Sequence, residues 1–280
     1  MRILLALSLV ACSSPPPATQ PKSDPTDGSA TTTSAATLTP GVELPEVALT
    51  GFVATKDANA SVTVTLSGIT VDGKLVAPMK DGVVDGAELE GGALGLRIIK
   101  LGELAGRLDK TMRLDVALDK RIPYRTLIAT LYTLKTAGHR QFGLLARAGA
   151  EVVLAPITLP DRSPPDPSTP AGPPPLGLIV TITKTEVKLW SSSMLEGTLH
   201  EPKAIVNLAE KSALADLGHA VAEIAARRFP QTRSPGDREI IIQADAAIPM
   251  QTIAEVIGTV RATPDGKELF PAVVFSSGFD

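Results

Sequence analysis

The sequence predicts an α+β protein of two tandem small domains, each a mixed or antiparallel sheet with two helices, joined by a proline-rich linker. Three observations lead there. A repeat sets Asp119-Lys-Arg-Ile-Pro beside Asp245-Ala-Ala-Ile-Pro, 126 residues on. Strand and helix patterns follow one another in the same order around both motifs. Finally, many of the 24 prolines gather in two stretches, which punctuate the 280-residue chain into tether, domain, linker and domain.

Residues 1–11 read as a signal peptide, with Arg2 followed by the apolar run Ile3 to Val10, too short to span a bilayer. The run ends in Leu9-Val10-Ala11-Cys12, which resembles the lipobox of bacterial lipoproteins. The resemblance implies cleavage before Cys12 and its lipidation, giving a membrane anchor on the periplasmic side. Ser13, in place of the Asp that retains such proteins at the inner membrane, points to the outer membrane. Residues 12–46, rich in Pro, Ser and Thr, hold too few large apolar side chains to form a core and are expected to be a disordered tether.

The first domain is expected over 47–158. Ser61 to Leu66 alternates as a strand, and Ile69 to Val76 reads as a hairpin about Asp72-Gly73. Ile98, Leu101, Leu104 and Leu108 form a helical stripe, followed by a strand alternating at Met112, Leu114, Val116 and Leu118. Pro123 suits the first turn of a helix carrying Leu127, Leu131 and Leu134. Gly138 marks the exit, and a hairpin from Leu144 to Leu154 closes the copy.

Residues 159–175 form the linker, with eight prolines between Pro160 and Pro175, long enough to leave the mutual orientation of the domains free. The second domain, 176–280, repeats the pattern. Leu178 to Thr183 and Val187 to Trp190 are strands, and Leu214, Leu217, Val221, Ile224 and Ala225 are a helical stripe. The apolar run Ile240 to Ile242 is a strand, Pro249 opens a helix with Ile253, Val256, Ile257 and Val260, Gly266 ends it, and Phe270 to Phe275 is the closing strand.

This succession resembles the periplasmic domain of the ExbD and TolR proteins, small subunits of proton-driven envelope motors. The likeness is carried by Ile240-Ile241-Ile242-Gln243-Ala244-Asp245-Ala-Ala-Ile248-Pro249 and by Val116-Ala117-Leu118-Asp119-Lys-Arg-Ile122-Pro123-Tyr124. The resemblance implies dimerisation of such domains, and hence an internal pseudo-dimer of the two copies. Motor members carry a transmembrane helix with an acidic residue that couples to protons. A lipid anchor and tether stand in its place here, so no proton translocation is expected.

Composition excludes other classes. A formal charge of -3 and a complement of six Phe, two Tyr and one Trp argue against nucleic-acid binding. One cysteine permits no internal disulfide. Asp119 and Asp245 are read as turn-stabilising residues, with Pro123, Tyr124, Pro249 and the lone Trp190 as structural or partner-contact positions. Trp190 is expected to pack on its own sheet at an edge, and Ser191 to Ser193 to form a loop. His139, His200 and His219 lack metal-ligand spacing and are expected on surfaces or helix faces. Gly91-Gly92-Ala-Leu-Gly95 lacks the Lys-Ser/Thr of a phosphate loop. No cofactor, metal or catalytic group is expected. The function read from the sequence is a non-enzymatic, lipid-anchored envelope protein. It would bind an envelope protein or peptidoglycan in biopolymer transport or envelope organisation, and the alternative is a solute-binding lipoprotein with a cleft between its domains.

Overall fold

A computed structural model describes residues 41–55, 60–92, 95–160, 176–229 and 238–276. The signal, Cys12, most of the tether and linker residues 161–175 lie outside the described residues. In the first half the elements are β1 (Val53–Ala54), β2 (Val62–Val64), β3 (Gly68–Val71), β4 (Lys74–Lys80), β5 (Val83–Val84), β6 (Leu89–Gly92) and β7 (Gly95–Ile98). There follow α1 (Ile99–Ala105), β8 (Leu114–Leu118), α2 (Tyr124–Thr136), β9 (Phe142–Ala148) and β10 (Glu151–Thr158). The second half holds β11 (Leu178–Ile182), β12 (Glu186–Ser191), β13 (Ala204–Asn207), α3 (Ala213–Arg228), β14 (Glu239–Ala244), α4 (Met250–Arg261) and β15 (Ala272–Phe275).

The result is mixed α+β. One large mixed sheet runs in the order β13-β12-β11-β14-β15-β10-β9-β8-β2-β3-β4-β5, with β1 against β10 and β6-β7 as a separate hairpin. The five-strand run β4-β3-β2-β8-β9 in the first half answers β13-β12-β11-β14-β15 in the second. Each has three parallel inner strands and an antiparallel outer hairpin. Parallel strands need both faces covered, which is why Val-Thr-Val in β2, Leu-Asp-Val-Ala-Leu in β8 and Leu-Ile-Val-Thr-Ile in β11 are buried throughout. The Asp72-Gly73 turn is the one expected, with positive φ at both residues (47° and 76°).

Alternate side chains of the sheet, such as Val116, Leu144, Val180 and Ile242, join the helices in one apolar cluster that runs through both halves. On the opposite face Leu44 packs over Ala117, Leu145 and Leu154. The free mutual orientation expected of the linker is thus replaced by a shared sheet and core. The junction is β10. It pairs antiparallel with β9 from Glu151↔Ala148 to Ile157↔Phe142, and parallel with β15 through Ile157↔Val273 and Thr158↔Val274.

Several local expectations change. Pro123 and Pro249 stand just before their helices, in extended conformation, rather than in the first turn. The exposed Met112 precedes β8, whose ladder begins at Leu114. Strand β13 lies outside β12, so Trp190 is not on an edge strand, and Ser191 ends β12 as a buried residue. His139 is fully buried after α2, whereas His200 and His219 are exposed. No helix among the described residues is long and apolar enough to cross a membrane.

Candidate functional site

The repeated motif lies at the carboxyl ends of β8 and β14. Each copy holds its turn with the same main-chain bonds. Asp119 N–H donates to Val64 O and Asp245 N–H to Ile182 O, both at 2.9 Å. Ile122 N–H donates to Asp119 O at 2.9 Å and Ile248 N–H to Asp245 O at 3.0 Å. Both prolines have φ of -73°, with ψ of 149° and 153°, and face each other as an antiparallel bridge. Around them Tyr124 N–H donates to Ile248 O and Met250 N–H to Ile122 O, both at 2.8 Å. Arg125 N–H donates to Ala246 O at 3.1 Å and Gln251 N–H to Lys120 O at 2.9 Å. Under the repeat offset the members of each pair exchange places, the reciprocity of a two-fold contact. Helix N-termini leave N–H groups without intrahelical partners, and here the other copy supplies the acceptors.

The two aspartates differ in their side chains. Asp119 is fully buried, accepting Arg121 Nε (2.8 Å) and Nη2 (2.9 Å) as a fork, Arg121 N–H (3.0 Å) and Glu43 N–H (3.2 Å). Burial pushes its carboxyl up, but the Arg121 and Glu43 hydrogen bonds outweigh burial and leave it below the usual carboxylate range. Asp245 is partly exposed and accepts no side-chain hydrogen bond among the described residues. One copy thus locks its turn with Arg121, where the other has Ala247.

Tyr124 crosses the junction. Its ring is buried against Phe275 in an edge-on pair, centroids 6.0 Å apart. Its hydroxyl lies 3.0 Å from Ile242 O and 2.5 Å from Ser276 O, both in the second half. Burial, with Tyr132 nearby, raises its phenol well above the ordinary value. Trp190 donates from Nε1 to Thr181 Oγ1 (2.9 Å), which also accepts Gln243 Nε2 (2.7 Å), so it packs on its own sheet. The structure therefore brings Asp119, Pro123, Tyr124, Asp245 and Pro249 to one junction and leaves Trp190 apart. His139 Nε2 donates to Ala105 O at 3.0 Å and serves to tie α1 to the end of α2.

Two features escaped the sequence reading. The first is Glu196, buried in the loop after β12 and gripped by Arg227 Nη2 (2.6 Å) and Arg228 Nε (2.7 Å) from the last turn of α3. The second is a groove of about 770 Å³ between α3 and α4. Its walls are Ala215, Gly218, Ala222 and Ala226 on α3, Ala254 and Gly258 on α4 and Ala262 just beyond its end, and Val47, Ala48 and Thr50 bound one side. Spacings of three and four mark one face of each helix, but in the sequence they are hidden among larger apolar residues. A smaller cavity of about 510 Å³ opens at the junction of the halves, between Lys135, Arg140, Phe142, Thr158 and Glu239. Burial raises the Glu239 carboxyl there, and Lys135 Nζ is engaged by the carbonyls of Leu159 and Pro160. No protein-family model, curated protein or solved structure matches the chain.

Proposed function

We propose that the chain is a non-enzymatic, lipid-anchored protein of the cell envelope. In this reading two ExbD/TolR-like copies pair within one chain to present a binding surface to an envelope partner, without translocating protons. The supporting observation is the reciprocal set of four backbone hydrogen bonds around Pro123 and Pro249. It engages the repeated motif in pairing the copies, and Asp119 is committed to Arg121 and Glu43 instead of facing a substrate. The partner then meets another face, in biopolymer transport or envelope organisation. The solute-binding alternative rests on the junction cavity. We favour it less, because Lys135, one of the two cations that line it, already serves two carbonyls.

The test has two arms. Metabolic labelling with a palmitate analogue, followed by outer-membrane fractionation, is expected to label the native chain and to fail for Cys12→Ala. Photo-crosslinking in the intact envelope is expected to capture the same partner repeatedly. An unlabelled native chain recovered in the soluble fraction refutes the anchor, and a chain that captures nothing refutes partner binding.

A further inference from the structure

The α3–α4 groove has an internal comparator. Under the repeat offset Gly258 answers Tyr132, Ala254 answers Ile128 and Ala262 answers Thr136. The helix crossing beneath is the same in both copies. A Cβ on Gly102 would lie 3.5 Å from Thr133 Cγ2, and one on Gly218 would lie 3.4 Å from Thr259 Cγ2. Thr133 and Thr259 each donate to the carbonyl four residues back, at 2.6 and 2.9 Å. In the first copy Tyr132 occupies this helix face and is buried, and Thr133 Oγ1 also accepts the Ile98 N–H at the end of β7. In the second copy the equivalents are Gly and Ala; the buried ring of Phe52 comes over Gly258, where a Cβ would stand 3.2 Å from Phe52 Cε2, and beside it a trough remains along the Ala face of α3. From Leu214 to Ala226 it runs about 18 Å along α3.

The chemistry of the trough restricts its occupant. Both long walls are helices whose backbone groups are already paired, so an extended peptide would bury N–H and C=O groups without partners. A helix satisfies its own backbone, and small residues on both walls let a third helix approach closely. Three carboxylates, Glu223, Glu255 and Asp265, line the groove with His219, and among the described lining residues none is Lys or Arg. The Asp265 carboxyl is held below its ordinary value, first by the Thr263 hydroxyl. We propose that this groove docks an amphipathic helix of about three turns from a partner protein, with an apolar stripe against the Ala/Gly walls and Lys or Arg at its margins. The proposal deepens the partner-binding reading above by naming the face and the partner's chemistry.

The probe is a fluorescent 14-residue helix with a Leu stripe and Lys margins, titrated into the full chain by anisotropy. Its controls are the same peptide with Glu for Lys, and lauric acid as an acyl competitor. Saturable binding is expected for the Lys peptide, weakened at least tenfold by Glu223→Lys/Glu255→Lys and by Ala226→Trp, each shown to be folded by its circular dichroism. No saturation by the Lys peptide, equal binding of the Glu peptide, displacement by lauric acid alone, or indifference to Ala226→Trp overturns the proposal. Photo-crosslinking from residue 226 in the envelope separates the two readings. A partner captured from other faces but never from 226 removes the groove and leaves the partner-binding reading standing.

Discussion

Replacing Tyr124 by Phe tests whether the two halves are held as one unit. The hydroxyl bonds acceptors in the other half, and Ile242 O keeps a second donor, Ser276 N–H at 3.0 Å. Removing one such bond costs about 1 kcal/mol. For a folded region of this size that lowers Tm by roughly 2–4 °C. Tyr124→Ala also removes a buried ring and its edge-on pair with Phe275, at about 3–5 kcal/mol, and should lower Tm by roughly 10 °C or more. Scanning calorimetry of the chain reads both. A single transition is expected for the native protein, because one apolar cluster runs through both halves. The pH dependence adds an independent check. The folded-state phenol titrates above the unfolded value of about 10, so its contribution is full below that pH and is lost as pH rises from there toward the folded value. Native stability should therefore fall more steeply above pH 10 than that of Tyr124→Phe. A Phe variant melting within about 1 °C of the native chain, with the same alkaline profile, refutes the role given to Tyr124.

Asp119→Asn should cost about 1–2 kcal/mol at pH 7 by urea denaturation, while Asp245→Asn, with no side-chain bond to lose among the described residues, should stay within about 0.5 kcal/mol. Because the Asp119 carboxyl is depressed, its contribution is present above pH 4 and fades as pH falls through the folded value, so the gap between native and Asp119→Asn should close in acid. Glu196→Gln weakens two charge-assisted bonds to partly exposed arginines and should cost about 1–2 kcal/mol, read as faster amide exchange in the last turn of α3. Gly51→Ala should cost roughly 1–3 kcal/mol by calorimetry, since φ is +83° there and a Cβ would stand 2.7 Å from Gly258 O.

The repeat was legible because Asp, Ile and Pro sit where backbone geometry needs them. Pro supplies the extended residue before each helix, and the Asp119 carboxylate closes its turn, whereas Asp245 closes its own through the main-chain carbonyl. The Asp72-Gly73 hairpin was legible for a similar reason, since both positions adopt positive φ. The pairing of the copies was expected only from the family resemblance, and the contacts that make it were not legible. It is made by backbone N–H and C=O groups, which every residue carries, and a linker of this length permits contact without requiring it. Strands β5 to β7 were missed because Gly-rich and charged residues interrupt their alternation. The burial of His139 was missed because a lone histidine after a glycine reads as surface, and only the fold shows Ala105 O waiting for its ring N–H. The groove was missed because its spaced Ala and Gly lie among larger apolar residues, and such spacing equally describes two helices in close contact. Their bulkier counterparts Ile128 and Tyr132 in the other copy make the difference.

Strand β10 explains why pairing two copies within a chain differs from pairing two chains. It runs antiparallel to β9 and parallel to β15, so β9 and β15 are themselves antiparallel, as two-fold-related edges must be. Among the described residues the first copy has a hairpin at this position, and its second strand fills the space between those edges. It makes seven residue pairs with β9 and two with β15, so the ladder alone binds the second half weakly. Most of the attachment must come from the reciprocal turn bonds, Tyr124 and the apolar cluster. Those contacts concentrate at the carboxyl ends of β8 and β14, where the repeated motif lies. Inserting one strand therefore closes two edges that would otherwise invite foreign pairing, and it leaves α3 and α4 on a copy whose sheet is already complete. Small residues on α4 serve the junction at one end, where Thr50 and Phe52 of the first half pack on Gly258, and leave the trough open beyond it.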